Sequence, residues 1–525
     1  MKINNKYFLK IISVTLGIFF CLYCIFYSGL SYDQIFHIEN GERRLKYLFS
    51  LGKYDYYDIL HLRYYPGLYD TISSLLASAF PRNFYYESYY LINFLTGLLG
   101  IFGLKKVVNF FFGDSIAKIF FIISLFSPIF FGHLSINPKD TIIATANFWI
   151  LYYVIKYLKT ETISIKRDIS IKIGLFVGLG AGVRVLFLGT LIPIIFFMFI
   201  EIFFIKRISK NFNFKYFFNH IFLIILISYS LLIICWPNTH GNILFDPIKI
   251  FLQSLNDTSQ GVQLSYFAGK FYQTLNTPWY YIFSNLFFKM PVFYLIIFLL
   301  GIVNLKQISM SLEKNQNFVY YSIISLFLLI LPILIAIFLN LKIHDGLRYF
   351  VYLIPLFNMI PSIFLYYLYK EFDSLKNKII SIILLPFLII FMIKFALITP
   401  YHYAYLNLFN DIFLEKNSFE NDYWGSSSKE LIKKFSKIVN KDKSLNIATC
   451  GINHINVKYY LKRNDINNFN LVSLNEKFDY AILINRAISN DKTNQKQTCY
   501  SKFFDKKVFI SVKKSFIDLS KIVEY

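Results

Sequence analysis

Two aspartates stand where a long apolar run meets polar chain. Asp33 follows the first such run and Asp140 precedes the fourth. A carboxylate at a membrane edge is costly unless it is hydrated or used. Used, it can take the proton from a hydroxyl that attacks an electrophilic carbon, a general-base step worth roughly 10²–10⁴-fold. The competing role for each is helix capping, because Asp at a helix start accepts backbone N–H bonds and suits the macrodipole. Asp140 ends the stretch "NPKD" (137–140), a short gap between two apolar runs whose Asn-Pro pair reads as a turn. Cations stand nearby in the chain: Lys139 adjoins Asp140, Arg184 lies between two apolar runs, and Arg348 opens another. The guanidinium fork matches phosphate oxygens, and snorkelling to the interface is the competing role for all three. His37 and His133 complete the candidate set for contact with a substrate.

The elements that must position these groups are membrane helices. The chain has 525 residues, of which 56% are hydrophobic and 16% charged, and a mean hydropathy of +0.48. Apolar stretches near the twenty residues that a bilayer demands recur along it. The spans fall at 8–30, 86–108, 116–132, 140–158, 169–183, 185–205, 216–236, 283–304, 318–340, 349–369 and 379–398, about eleven in all. The connectors 105–118, 156–172, 206–215 and 370–378 are short and basic, with Lys105, Lys106, Lys156, Arg167, Lys206, Lys210 and Lys376 among their charges. All of them fall on one side, together with Lys2, Lys6 and Lys10. The positive-inside rule makes that side the cytoplasm, so the expectation is a multi-pass cell-membrane protein with its amino terminus inside and its tail outside. The first span is read as an anchor rather than a signal peptide, since no small-x-small cleavage site follows it.

The formal net charge is +23; the basic excess of the membrane part is mostly topological and implies no nucleic-acid partner, while the tail from Lys416 on is also basic and either attracts anionic lipid head groups or glycans or is a solvated face. Phe and Tyr number 60 and 41 against 4 Trp, a bias that goes with the abundant Ile, Lys and Asn and marks no base-stacking platform. The external loop 31–85 is long, and its stretch 36–51 has the spacing of an amphipathic interfacial helix, with a second candidate after Pro66. By this topology His37, His133, His240, His344 and His402 all lie at the outer surface. They lack HxxH or HExxH spacing, so no metal is predicted and a divalent ion has no support. The Cys21–Cys24 CxxC sits inside span one and reads as packing, as does "GLGAG" (178–182) inside span five. There is no P-loop and no GxGxxG, so a nucleotide donor has no support.

The region from 425 onward changes character. "SSSKELIKKFSKIVN" reads as a capped amphipathic helix, "LNIATC" and "DYAILIN" as strands, 453–462 as a helix and 506–524 as further strands. The expected domains are a membrane domain over 1–400, a connector over 401–424 and an external α/β domain over 425–525. Cys450 and Cys499 are the only cysteines outside the spans. Either they bridge in an oxidising compartment, or Cys450 ends a buried strand and Cys499 is free.

An Asp just after span one, an amphipathic loop, an Asp at the start of span four and an external tail together resemble the membrane-integral GT-C glycosyltransferases. Within them the chain is most similar to the bacterial protein-mannosyltransferase and aminoarabinose-transferase group. "GHLSINPKDTIIATANFWILYY" (132–153), "GLGAGVRVLFLG" (178–189), "TPWYY" (277–281), "DGLRYFVYLIP" (345–355) and "FENDYWGSSSKEL" (419–431) resemble blocks of such enzymes and occur in their order. The resemblance covers about residues 7–435. One departure stands out: many relatives carry Asp-Glu in the first loop, and here the pair is Asp33-Gln34. The resemblance implies transfer of a sugar, with inversion, from a polyprenyl-phosphate donor to a glycan, lipid or protein acceptor outside the cell. Asp33 would be the base and Asp140 a second catalytic carboxylate, with Arg348, Arg184, Lys139, His133 and His37 on the donor phosphate or substrate. No cofactor is implied. A polytopic transporter or flippase is the alternative, but internal repeats and midplane polar residues are not evident.

Overall fold

The computed structural model describes residues 5–209, 212–255, 263–312, 316–489 and 495–525. Lys2 and Lys210, used above for orientation, lie outside the described residues. Each of the eleven expected spans contains helix. Six helices are long and apolar enough to cross a bilayer: 82–112, 140–159, 187–205, 217–234, 317–338 and 375–397. Two further crossings are bent pairs, 114–125 with 128–136 at 66° and 281–289 with 292–303 at 113°, so length and composition support six to eight spans. The other three expected spans are less regular. The apolar part of α1 (Asn5–Tyr27) is Ile11–Tyr27, α8 (Ile163–Val183) carries Lys166, Arg167 and Asp168 in its first two turns, and 348–370 is broken into short helices.

The loop 31–85 folds as the periodicity predicts. Helix α2 (Gln34–Phe49) follows Asp33, and α3 (Leu68–Ala77) follows Pro66. They cross so closely that a Cβ on Gly41 would lie 2.2 Å from the Asp70 carbonyl oxygen. Arg44, fully buried on α2, ties the intervening chain down by donating to the carbonyls of Leu62, Tyr65, Pro66 and Cys235. A cation without access to water is tolerated here because its donors are met by carbonyl oxygens.

Helices α4 (Tyr85–Phe112), α5 (Asp114–Leu125), α6 (Pro128–Ile136) and α7 (Asp140–Lys159) form the centre, with α7 packed on both α4 and α8. The turn between α6 and α7 follows from "NPKD". Asn137 is extended (φ −113°, ψ 92°), as a residue before proline must be, and this ends α6. The Asn137 carboxamide oxygen then accepts from the backbone N–H groups of Lys139 (3.1 Å) and Asp140 (2.9 Å). Asn137 thus does the capping that the sequence left open for Asp140. The small residues of "GLGAG" serve packing: a Cβ added to Gly178 of α8 would meet Leu231 of helix 217–234 at 2.7 Å.

A hairpin of β1 (Leu264–Phe267) and β2 (Lys270–Gln273), not anticipated from the sequence, precedes helix 281–289. The tail carries the expected helix Ser428–Phe435, β3 (Leu445–Cys450), helix His454–Arg463, β5 (Tyr480–Ile484), β8 (Lys507–Lys514) and β9 (Ile517–Glu524), and adds three short strands not anticipated from the sequence, β4 (Phe469–Val472), β6 (Ala487–Ser489) and β7 (Lys496–Thr498). Five strands form one sheet in the order β4-β3-β5-β9-β8, parallel across β4-β3-β5 and antiparallel beyond. Cys450 and Cys499 form a disulfide with a Cα separation of 5.8 Å, which settles the two alternatives. Cys21, Cys24 and Cys235 are free, and the last two are buried.

The tail sheet is not a separate body on a tether. Its helix 454–463 grips the chain between α1 and Asp33: the Tyr460 hydroxyl accepts from the Leu30 N–H (2.7 Å), and the Asn456 and Asn453 amides donate to the carbonyls of Ser31 (3.1 Å) and Tyr32 (2.9 Å). One apolar core runs from the helices into this sheet.

Candidate active site at the helix ends

Asp33 occupies the position before α2, and its backbone (φ −90°, ψ −15°) leads into the helix, but its carboxylate makes no cap bond. It turns instead to the α6–α7 hairpin and accepts from the Lys139 ammonium at 2.8 Å. About a third of the Asp33 side chain stays exposed and the Lys139 side chain is 14% exposed, so the pair keeps contact with the surroundings of the protein. Enclosure by protein would raise the Asp33 carboxyl, but the charges of Lys139 and Arg348 outweigh it and hold the group well below the usual carboxylate range. Asp140 is the next residue after Lys139. It is 8% exposed, and its carboxylate accepts from the Asn137 amide at 2.9 Å. Both carboxylates thus stand at helix N-termini, where the macrodipole favours negative charge, and Lys139 joins them.

Arg184 ends α8, the favourable end for a cation. Its guanidinium carbon lies 5.9 Å from the Tyr65 ring and 5.7 Å from the Tyr349 ring, on the same face as Asp140. Tyr65 also faces Lys139, at 5.6 Å. Among the described residues Arg184 makes no salt bridge, so its fork remains available to an anion.

Arg348 differs. One terminal nitrogen donates to Asp345 (2.9 Å), and the other to the His344 Nε2 (2.9 Å) and the Tyr349 hydroxyl (2.6 Å). Only its Nε is buried without a partner. The guanidinium can only donate, so His344 accepts here as neutral imidazole. Burial, reinforced by Arg348 and Arg486, pushes the His344 pKa down to about 3. Asp345, 3% exposed, also faces Arg486 of the tail at 3.6 Å.

The two histidines expected at the substrate are both buried and hydrogen-bonded within the protein. His37 is 4% exposed and pairs with Asp70 at 2.9 Å. Its backbone N–H donates to the Asp33 carbonyl (3.3 Å), so it stiffens the segment that carries Asp33. His133 is fully buried between the Asn137 amide (3.1 Å) and the Tyr423 hydroxyl (3.0 Å), and links the hairpin to the 401–424 segment. A Cβ at Gly132 would lie 2.0 Å from the Tyr403 nitrogen, which is why a glycine precedes this histidine.

Sequence reasoning missed Tyr65, His344, Asp345, Lys289, Glu420 and Arg486. Asp345 and Glu420 fall inside two of the quoted blocks, which was a usable signal. Lys289 ends helix 281–289, buried against the Phe419 and Tyr423 rings at 5.7 and 5.8 Å. Glu420 is 6% exposed and accepts from the Ala487 N–H at 2.7 Å. Burial, with Asp345 adding to it, pushes its carboxyl up to about 7 against the pull of Arg486. Among the described residues no group of three or more His, Cys, Asp or Glu could hold a metal ion.

Comparison with solved structures bears on the fold. ArnT from Cupriavidus metallidurans in the apo state superposes with a TM-score of 0.51 at 10% identity, covering 99% of this chain and 98% of that one. A second ArnT structure, bound to undecaprenyl phosphate, gives a TM-score of 0.49 at 10% identity over the same shares. The Archaeoglobus fulgidus oligosaccharyltransferase in the apo form gives 0.45 at 9% identity, covering 86% of this chain and 66% of that one. No family model and no curated protein matches. The fold is that expected from the blocks: a polytopic GT-C architecture with a small carboxy-terminal sheet, shared along almost the whole length of ArnT.

Proposed function

We propose that the protein is a membrane glycosyltransferase that moves a sugar from a polyprenyl-phosphate donor to an acceptor hydroxyl on a glycan, lipid or protein outside the cell. The donor tail stays in the bilayer. The amino terminus lies in the cytoplasm, and the region from about 425 stands outside as an α/β unit joined to the membrane part by 401–424. The single observation that carries this reading is the cluster in which Asp33, held by Lys139, and Asp140 share their surroundings with Arg184, which makes no salt bridge among the described residues.

In this reading the acceptor oxygen attacks the anomeric carbon, its proton passes to the Asp33 carboxylate, and the carbon–oxygen bond to the phosphate breaks with the electron pair leaving on the phosphate. The anomeric centre inverts. The leaving group is already a stable anion and needs cations rather than an acid. Arg184 supplies the free fork and Lys139 the mobile charge. An incoming phosphate competes with Asp33 for the ammonium, and as Lys139 moves toward it the Asp33 carboxylate is released to serve the hydroxyl. Asp140, fixed by Asn137, orients the acceptor or the sugar.

The test is transfer of radiolabelled sugar from polyprenyl-phosphate donors in proteoliposomes containing the full chain. Movement of donor lipid across the bilayer without transfer would replace this reading with a flippase.

A further inference from the structure

The Asp345–Arg348 pair is shared with the tail. Asp345 adopts a left-handed backbone (φ 56°), and its carboxylate presents one oxygen to Arg348 (2.9 Å) and the other to Arg486 (3.6 Å). Arg486 follows β5 and is held from three directions. Its side chain donates to the Tyr423 carbonyl (2.7 Å), its guanidinium lies 5.3 Å from the Tyr32 ring, and its own carbonyl accepts from the Cys499 N–H (2.9 Å). Cys499 is bonded to Cys450. The next residue, Gly451, runs so close that a Cβ there would lie 2.8 Å from the Arg486 Cβ, and its φ of +76° favours glycine.

We propose that Arg486 is a positioning residue for donor binding, supplied by the carboxy-terminal domain and acting through Asp345 on Arg348. This rests on the function proposed above. A buried carboxylate shared by two guanidinium groups binds each less tightly than one facing a single partner. With Arg486 present, Arg348 can turn its Nε and part of its fork toward an anion in the cleft. Without it, Asp345 is balanced by Arg348 alone and competes directly with the phosphate. The tail is then part of the site's charge balance as well as a brace.

The test uses full-length protein in nanodiscs and farnesyl phosphate as the probe, with affinity read by calorimetry and folding by thermal melting. R486Q should weaken binding about tenfold by unbalancing the carboxylate. R486K, which keeps the charge, should stay within about threefold of wild type, and R486Q/D345N should recover to about the same level because the competing carboxylate is gone. Wild-type affinity in a folded R486Q, or a double variant no better than R486Q, would overturn the proposal. Should R486Q fail to fold, a tenfold loss in R486K overturns it instead. If wild type itself binds no farnesyl phosphate, the reading of the site falls and takes this inference with it; binding that is equal in wild type and R486Q removes only the inference.

Discussion

The Lys139 ammonium donates to the Asp33 carboxylate at 2.8 Å, across 106 residues of sequence. This contact joins the loop after the first span to the hairpin between α6 and α7, and it sets the resting ionisation of the proposed base. With its pKa held down by Lys139 and Arg348, Asp33 is ionised throughout the neutral range. Its contribution to stability is present above the unfolded carboxylate pKa of about 3.9 and is lost as pH falls through the lower folded value. In kcat/KM the same shift places the acid limb below the usual carboxylate range. Lys139→Met should move that limb upward, because burial then acts with less opposition, and should raise the donor KM roughly tenfold through loss of a phosphate contact. A pH–rate profile checks both; an unmoved acid limb would separate Asp33 from the titration.

Asn137 and Asp140 should divide their roles cleanly. Asn137 caps α7, so Asn137→Ala should cost about 1 kcal/mol of stability. Asp140→Asn should leave the melting temperature near wild type, because its carboxylate makes no cap bond, and should lower turnover. Thermal melts beside single-turnover transfer would expose the opposite pattern.

Arg184 is the uncommitted guanidinium of the cleft. Arg184→Lys keeps the charge but loses the fork, and should raise the donor KM by roughly three- to tenfold with little change in kcat. Initial rates over a donor series measure the split.

Glu420 gives a pH dependence of stability with the reverse sign of Asp33. Its folded pKa of about 7 lies above its ordinary value of 4.5, so the folded state holds the extra proton and stability falls as pH rises between those values. The whole change is roughly 3 kcal/mol for this group alone. Glu420→Gln should flatten the slope of melting temperature between pH 5 and 7 in detergent.

The disulfide closes a segment of 49 residues. Cys450→Ser with Cys499→Ser should destabilise the protein by about 4 kcal/mol on the chain-entropy account, as measured by denaturant melts.

Much of the fold was legible because bilayer helices announce themselves by length and apolarity. The helices 34–49 and 68–77 and the tail strands β3, β5, β8 and β9 were legible from periodicity. Asp33 and Asp140 stood out because carboxylates at apolar boundaries are rare, and Lys139 and Arg184 followed from adjacency. What stayed hidden depends on contacts distant in sequence. Arg486 sits at the end of a tail strand, and no local pattern reveals that it meets Asp345, 141 residues earlier. Tyr65 is one tyrosine among 41, singled out only because Arg44 pins its carbonyl. The burial of His37 and His133 was not legible either, because their partners Asp70 and Tyr423 lie 33 and 290 residues away in sequence.

The central claim is that Asp33 takes the acceptor proton. The most direct measurement is sugar transfer from a polyprenyl-phosphate donor in proteoliposomes, comparing wild type with Asp33→Asn while donor binding is followed in the same preparations. The account predicts that Asp33→Asn binds donor at least as well as wild type, since Lys139 is freed, and turns over roughly 10²-fold or more slowly. Transfer by Asp33→Asn at the wild-type rate would contradict it.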